Sequence, residues 1–313
     1  LIGAGSFALG MHMTNLTKLK GKYHLSAVMS RKGHSAKVVG EQYGADYVTT
    51  SYQEILSDDN IDLVIICTRH DSHGDLVLKA LHAGKNVFVE KPLAVNQDEL
   101  NSIKEFYLSE TTQLDKPVLM VGFNRRFSQF SNEIKKHTSK RLNPLFIRYR
   151  MNAGFIPLDS WHHDHGGRIV GEACHIIDFI SNLTDSSIES LKVEKLDFYD
   201  SKFSNEDNMT IVIKYSDGSI GSIDYFATGN KGLNKEVCEI HFDGKSIVLD
   251  DYKTLKGYGL KINELNFNSS KKGQYEEILS LYECLTNSPS KFPIPLASLL
   301  ETTQATLDII NNK

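Results

Sequence analysis

Lys91 stands between Glu90 and Pro92, directly after the apolar run Asn86–Val89. A lysine that leaves a buried strand between an acid and a proline has little structural purpose. It offers a cation, or a proton donor tuned by its neighbours, at a strand end. A second polar cluster, Thr68, Arg69, His70, Asp71, Ser72 and His73, follows the apolar run Ile61–Cys67. There Asp71 or Ser72 can serve simply to cap the next helix. A third set, Glu172, His175 and Asp178, is spaced so that neighbours meet along one side of a helix. An imidazole in that set can take a hydroxyl proton near neutral pH. A metal is not expected: a di-metal bundle needs two Glu-x-x-His motifs and further carboxylates, and only one is present. The run Trp161-His162-His163-Asp164-His165 has its imidazoles in a row, a spacing from which ring nitrogens rarely converge on one ion.

The elements that must carry these groups follow from apolar periodicity. Leu25–Met29, Ile61–Cys67, Asn86–Glu90 and Val118–Val121 read as buried strands. Between them Phe7–Leu19, Ser35–Tyr43, Asp75–Ala83 and Gln97–Leu108 read as helices. This alternation predicts an α/β domain, a Rossmann-type doubly wound parallel sheet covered on both faces. Ligands of such sheets bind beyond the carboxyl ends of the strands, where Cys67, Thr68, Arg69, His70, Glu90, Lys91 and Pro92 are placed. The first loop, Gly3-Ala4-Gly5-Ser6-Phe7-Ala8, fits G-x-G-x-x-A. Gly3 allows the tight turn, Gly5 lets the backbone approach a pyrophosphate, and Ala8 lets the helix pack close to the strand. The helix N-terminus after it presents free N–H groups to the phosphates. A dinucleotide site built on Gly3, Gly5, Ser6, Phe7 and Ala8 is therefore expected. The second strand ends at Ser30, Arg31 and Lys32, where NAD-preferring chains usually carry an acid. A hydroxyl and two cations suit a 2′-phosphate, so NADP is expected, with NAD possible; alternatively Arg31 and Lys32 are solvated surface charges.

After Gly122 the pattern changes. A loop is expected over 151–167 and a helix from about Arg168 to Leu183. Alternating strands Met209–Tyr215 and Ile220–Phe226 flank an Asp-Gly turn, as do Val237–Phe242 and Ser246–Asp250, a strong hairpin signal. Two helices, near Tyr275–Leu285 and Leu296–Ile310, close the chain. The predicted organisation is a dinucleotide-binding domain over residues 1–122 and an α+β substrate-binding and oligomerisation domain over 123–313, with a mostly antiparallel open-faced sheet. A chain of 313 residues is long enough for two cores. With 40% hydrophobic and 24% charged residues and a net charge of -4, it reads as a globular protein without a nucleic-acid or membrane partner. No apolar run approaches the roughly 20 residues that span a bilayer. Cys67, Cys174, Cys238 and Cys284 form no C-x-x-C pair and read as reduced thiols of a cytoplasmic protein. The sequence opens at Leu1, inside an apparent strand, and reads as an excised piece or one lacking its first residues.

The glycine loop, the run Ala83-Gly84-Lys85-Asn86-Val87-Phe88-Val89-Glu90-Lys91-Pro92-Leu93, and Gly122-Phe123-Asn124-Arg125-Arg126-Phe127 together resemble the Gfo/Idh/MocA oxidoreductase family. Thr68-Arg69-His70-Asp71, Asn152-Ala153-Gly154 and Gly171-Glu172-Ala173-Cys174-His175 are most similar to the subgroup found as the C-terminal part of two-domain oxidoreductases. The resemblance implies a helix over the nicotinamide, with His175 matching the catalytic histidine. Many members carry an Asp four residues before that histidine; here the position is Gly171, and the acid is Glu172. Glu172 then orients His175, binds substrate, or does neither.

The implied reaction is reversible hydride transfer between the nicotinamide and a secondary alcohol or carbonyl of a sugar, sugar derivative or cyclitol. Lys91, His175 and Glu172 are the catalytic candidates. His73 joins the strand-end residues above as a cofactor contact, and Asn124, Arg125, Asn152 and Trp161, with Glu172 and His175, are the substrate contacts. An interdomain salt bridge is the other reading of Arg125 and Arg126. A homo-oligomer, dimer or tetramer, is expected. The alternatives are a dinucleotide- or sugar-binding module without chemistry, and one half of a larger two-domain enzyme.

Overall fold

The computed structural model describes all residues except 110–115, 165, 200–201, 288–291 and 312–313. The described residues fall into two compact units, Leu1–Gly122 with Gln274–Leu300, and Phe123–Gly273 with Glu301–Lys313. The leading stretch of the first unit ends at Gly122. The segment 274–300, expected in the second domain, instead belongs to the first unit.

The first unit is a parallel sheet. Strands β1 (Ala27–Met29) and β2 (Tyr47–Thr49) pair with each other, as do β3 (Leu63–Ile66), β4 (Asn86–Val89) and β5 (Leu119–Val121). Ile2 joins the two sets, bridging to Met29 on one side and to Ile66 on the other. Its N–H donates to Ile65 O at 2.8 Å, and its carbonyl accepts from Cys67 N at 2.7 Å. The strand order is therefore β2-β1-Ile2-β3-β4-β5, with the chain reversing its direction of winding between Ile2 and β3. That is the point where doubly wound sheets take their ligands. Ile2, Val28, Ile66, Val87, Phe88 and Val89 are wholly buried, as a sheet covered on both faces requires. Each such Val or Ile contributes about 1.5–3 kcal/mol of burial.

Helices α1 (Thr14–Lys18), α2 (Gly33–Tyr43), α3 (Tyr52–Leu56), α4 (His73–His82) and α5 (Gln97–Leu108) connect the strands. The Asn96 side chain caps α5 by accepting from Glu99 N at 2.9 Å, and Gly44 ends α2 in the left-handed region at φ 72°. The helix after the glycine loop is not uniform: Ala8–Met13 is wound as a π-helix before α1 begins.

In the second unit, α6 (Gln129–Thr138) and α7 (Cys174–Thr184) pack on an eight-stranded sheet. Its strands are β6 (Phe146–Asn152), β7 (Ile188–Lys195), β8 (Met209–Tyr215), β9 (Ile220–Phe226), β10 (Glu236–Phe242), β11 (Lys245–Asp250), β12 (Thr254–Tyr258) and β13 (Leu265–Asn266). The order is β13-β12-β11-β10-β6-β9-β8-β7, and only the β6–β9 pair is parallel. Alternation sorts the side chains: Ile147, Tyr149 and Met151 of β6 enter the core with Ile176, Ile177 and Ile180 of α7, while Phe146 and Arg148 face solvent. Strand β6 runs through Met151 and Asn152, so the loop expected over 151–167 starts at Ala153. The remaining helices are α8 (Gln274–Asn287), within the first unit, and α9 (Leu296–Ile310), within which the division between units falls. No described helix is long and apolar enough to cross a membrane.

Candidate active site

The glycine loop is built as the reversal point demands. Gly3 has φ 93°, and a Cβ there would stand 2.7 Å from the Cys67 carbonyl oxygen, so only glycine allows the loop to lie against the end of β3. At Gly5 a Cβ would meet no protein atom within 4 Å. Glycine there is not demanded by the protein's own packing, and its bare backbone suits a group approaching from outside. Ala8 is wholly buried, as helix–strand packing requires, and Ser6 and Phe7 are exposed at the helix start. These residues fit a dinucleotide pyrophosphate. Ser30, half-buried, follows β1; Arg31 and Lys32 are exposed.

The end of β4 carries a charged cluster. Glu90 is buried, and its carboxyl oxygens lie so close to Gly122 that a Cβ there would come within 3.1 Å of both. His12, 1% exposed, bonds Glu90 Oε1 through Nε2 at 2.7 Å. Burial pushes the Glu90 carboxyl up, but His12 and the nearby Lys91 ammonium outweigh it and hold the group below its ordinary range. Burial likewise opposes charge on His12, yet the Cys67 thiol and Glu90 raise its pKa well above the usual histidine value. Lys91 is half-buried, the Lys91–Pro92 bond is cis, and the lysine side chain makes no hydrogen bond or ion pair with any described residue. His73 is wholly buried. Its Nδ1 donates to Pro92 O at 2.7 Å and its Nε2 lies 3.1 Å from Thr68 O. Burial holds His73 below the usual histidine value. It braces the loops after β3 and β4 against each other; expected as a cofactor contact, it is placed to act through the loops that it holds. Thr68 and His70 are half-buried beside Cys67, with Arg69 exposed.

In the second unit, His175 is the second residue of α7, 7% exposed, with its ring edge-on to Phe123 at 6.3 Å. The turn before it, Ile169–Ala173, is a π-helix containing Glu172. Glu172 accepts from Arg168 at 3.2 Å and from Lys235 at 3.0 Å. Burial raises its pKa, but Lys235 and Arg168 more than reverse this and keep it ionised. Such a carboxylate is a fixed anion, poorly suited to carrying protons.

Three expected substrate contacts are placed differently. Arg125 forms a buried two-point ion pair with Glu236, at 2.8 and 2.9 Å, and Lys272 and the Tyr149 hydroxyl bond the same carboxylate at 2.6 and 2.5 Å. Arg126 pairs with the fully buried Asp178, so both arginines, like Asp178, are committed within the unit's core. Asn124 donates to Lys272 O at 2.8 Å and Asn152 to Asn230 O at 2.8 Å; both amides are buried and pin loops. Trp161, 45% exposed, stacks on His162 at 4.0 Å and remains a surface candidate. His162 bonds Ser160, His163 lies 3.5 Å from Asp207, and His165 is outside the described residues.

Residues 1–114 match the model of an oxidoreductase family with an NAD-binding Rossmann fold, GFO_IDH_MocA. That leading stretch of the chain is similar to the Gfo/Idh/MocA oxidoreductases. Among its relatives, myo-inositol 2-dehydrogenase of Thermotoga maritima is 25% identical over 72% of this chain and 66% of its own length. The 4-carboxy-2-hydroxymuconate-6-semialdehyde dehydrogenase of a Sphingobium species is 35% identical over 62% of this chain and 61% of its own. The chain thus spans less than two thirds of these curated relatives. A structure of levoglucosan dehydrogenase with NADH and levoglucosan superposes with a TM-score of 0.79 at 18% identity, covering 99% of this chain and 95% of that one.

Sequence reasoning passed over His12 and Glu236. His12 lies four residues after buried Ala8, on the inward side of an otherwise apolar helix, and a histidine on such a face is the signal that could have found it. Glu236 opens an alternating strand and has no local mark; its partner Arg125 is 111 residues away.

Proposed function

We propose that the chain catalyses reversible hydride transfer between a nicotinamide dinucleotide and a secondary alcohol or carbonyl of a sugar, sugar derivative or cyclitol. The observation that carries this is Lys91, an ammonium without a partner among the described residues, at the carboxyl end of β4 beside an ionised carboxylate. A cation so placed stabilises negative charge developing on a carbonyl oxygen. The names of relatives, an inositol dehydrogenase and a levoglucosan dehydrogenase, support a polyhydroxy substrate. The nicotinamide supplies the hydride acceptor or donor when bound. Of this chain's residues, Gly3 and Gly5 admit the pyrophosphate, Lys91 polarises the substrate oxygen, and His175 takes the hydroxyl proton in the oxidative direction. Glu172 serves as a fixed anion that positions its surroundings.

The finer cofactor choice is NADP. Ser30 and the exposed Arg31 stand where a ribose-binding acid would otherwise select NAD. The test combines NAD⁺ or NADP⁺ with a panel of inositols and sugars and follows nicotinamide reduction. Turnover that vanishes in Lys91→Ala while cofactor binding persists supports the assignment. Turnover unchanged in that variant rules it out.

A further inference from the structure

Arg168 caps the π-helical turn Ile169–Ala173, and α7, with His175 as its second residue, continues directly from that turn. The arginine side chain is 1% exposed, yet it carries a charge that it cannot lose. Its guanidinium gathers separate stretches of the second unit. Nη1 donates to Gly154 O at 2.7 Å, and Nη2 donates to Ala153 O at 3.0 Å and to Glu172 Oε1 at 3.2 Å. The Tyr225 ring centroid lies 5.8 Å from the guanidinium carbon. Arg168 faces two carboxylates but bonds one: Asp207 Oδ2 stays 3.7 Å away, beyond hydrogen-bond range. The other Glu172 oxygen accepts from Lys235 at 3.0 Å, but that lysine side chain is 42% exposed. An ammonium open to solvent orients a carboxylate weakly, whereas a buried fork anchored on two carbonyls fixes it. A π turn is rare and frequently marks a functional site. This one contains Glu172, so the tie from Ala153 and Gly154 through Arg168 ends inside the turn itself.

We propose that Arg168 is a positioning residue for hydride transfer: by tying Ala153 and Gly154 to Glu172, it holds the π turn that sets His175 in place. This rests on the reading of His175 as the acceptor of the hydroxyl proton. Arg168 is buried and acts through Glu172 and the turn, not on the substrate. A base must stand within about 2.6–3.2 Å of the proton that it takes, so a small slip of His175 costs turnover more than binding. A lysine at position 168 would keep the charge but lose the planar fork whose two nitrogens reach three acceptors.

The test compares the parent with Arg168→Lys, Glu172→Gln and the double variant. It reads nicotinamide reduction on the alcohol that the parent oxidises best, and amide hydrogen exchange by mass spectrometry. Arg168→Lys is expected to lower kcat about 30-fold, with KM for the alcohol within about two-fold. Glu172→Gln is expected to lose about as much, and the double variant no more, because the two residues act as one unit. Losses that multiply, a parent-like kcat, or a raised KM at constant kcat overturn the proposal. Exchange over 169–175 is expected to quicken about ten-fold in Arg168→Lys while the sheet stays protected. Unchanged exchange there, or protection lost throughout the unit, also overturns it. Should Arg168→Lys not fold, Glu172→Gln decides: lost kcat with quickened exchange over 169–175 upholds the tie, and lost kcat with parent-like exchange overturns it. His175→Asn separates this proposal from the reading beneath it. Parent-like turnover in His175→Asn removes the proton role, and the positioning with it; turnover lost there but kept in Arg168→Lys overturns the positioning alone. A parent that oxidises no alcohol of the panel with either cofactor overturns the proposed reaction, and the exchange rates still judge the tie.

Discussion

Cations in the two units are used in opposite ways. In the second unit Arg125 and Arg126 are each locked to a buried carboxylate, Glu236 and Asp178, and Arg168 is held by Glu172 and two backbone carbonyls. In the first unit Lys91 lies beside an acid that is already bonded to His12, and has no partner of its own among the described residues. A buried charge that is fully paired stabilises or specifies the fold; one left over at a strand end is available to a ligand. The two arginines and the lysine look equally functional as letters. Only the carboxylates opposite them tell the roles apart.

The contrast can be broken at several points. Lys91→Ala is expected to have the largest effect on chemistry, about a 10²–10³-fold loss of turnover, while its thermal midpoint and cofactor affinity stay near those of the parent. A matching loss of stability would make Lys91 structural after all.

Glu236→Gln reverses the pattern. It leaves Arg125 and Lys272 without their anion in the core and should cost about 3–5 kcal/mol in denaturant unfolding. Glu236 also sets a pH dependence. Burial alone would raise its pKa, but Arg125 and Lys272 depress it well below the ordinary range. Its stabilisation is therefore complete above the unfolded value, near 4.3, and is lost as pH falls from there towards the folded value. Melting curves taken down this acid range should be less steep in pH for Glu236→Gln than for the parent.

Arg31→Ala sharpens the cofactor choice. Binding of NADPH should weaken by about ten-fold, some 1.4 kcal/mol, with NADH little changed. Equal losses for both would leave Arg31 a solvated charge. Lys79→Ala marks the floor: its pair with Asp75 at 2.7 Å is exposed, and about 0.3–0.5 kcal/mol is expected from thermal melts.

How much could be read beforehand follows from the range of the forces. Gln97–Leu108, Met209–Tyr215 and Ile220–Phe226 run as their periodicity predicts, because local patterning and an Asp-Gly turn decide them. Tyr47–Thr49 and Tyr52–Leu56 escaped notice, being too short for a period to show. Strand β6, whose Arg148 and Arg150 alternate with apolar residues, went unread although it lies in the interior of the larger sheet. At the site, the glycine loop and Lys91 were legible because a turn and a strand end are local. The roles of Arg125, Asn152 and Glu172 were not, since each depends on a partner 63 to 111 residues along the chain.

The division of the chain carries a consequence for the order in which it matures. The first unit is left at Gly122 and resumed at Gln274, where Tyr23 donates to Ile278 O at 2.7 Å and packs edge-on to Tyr282. A ribosome adding about 5–20 residues per second takes on the order of 10–30 s to deliver the intervening stretch. For that time the nascent parallel sheet exists without α8, and the second core in turn waits for Ala305 and Ile309, which follow the segment that completes the first unit.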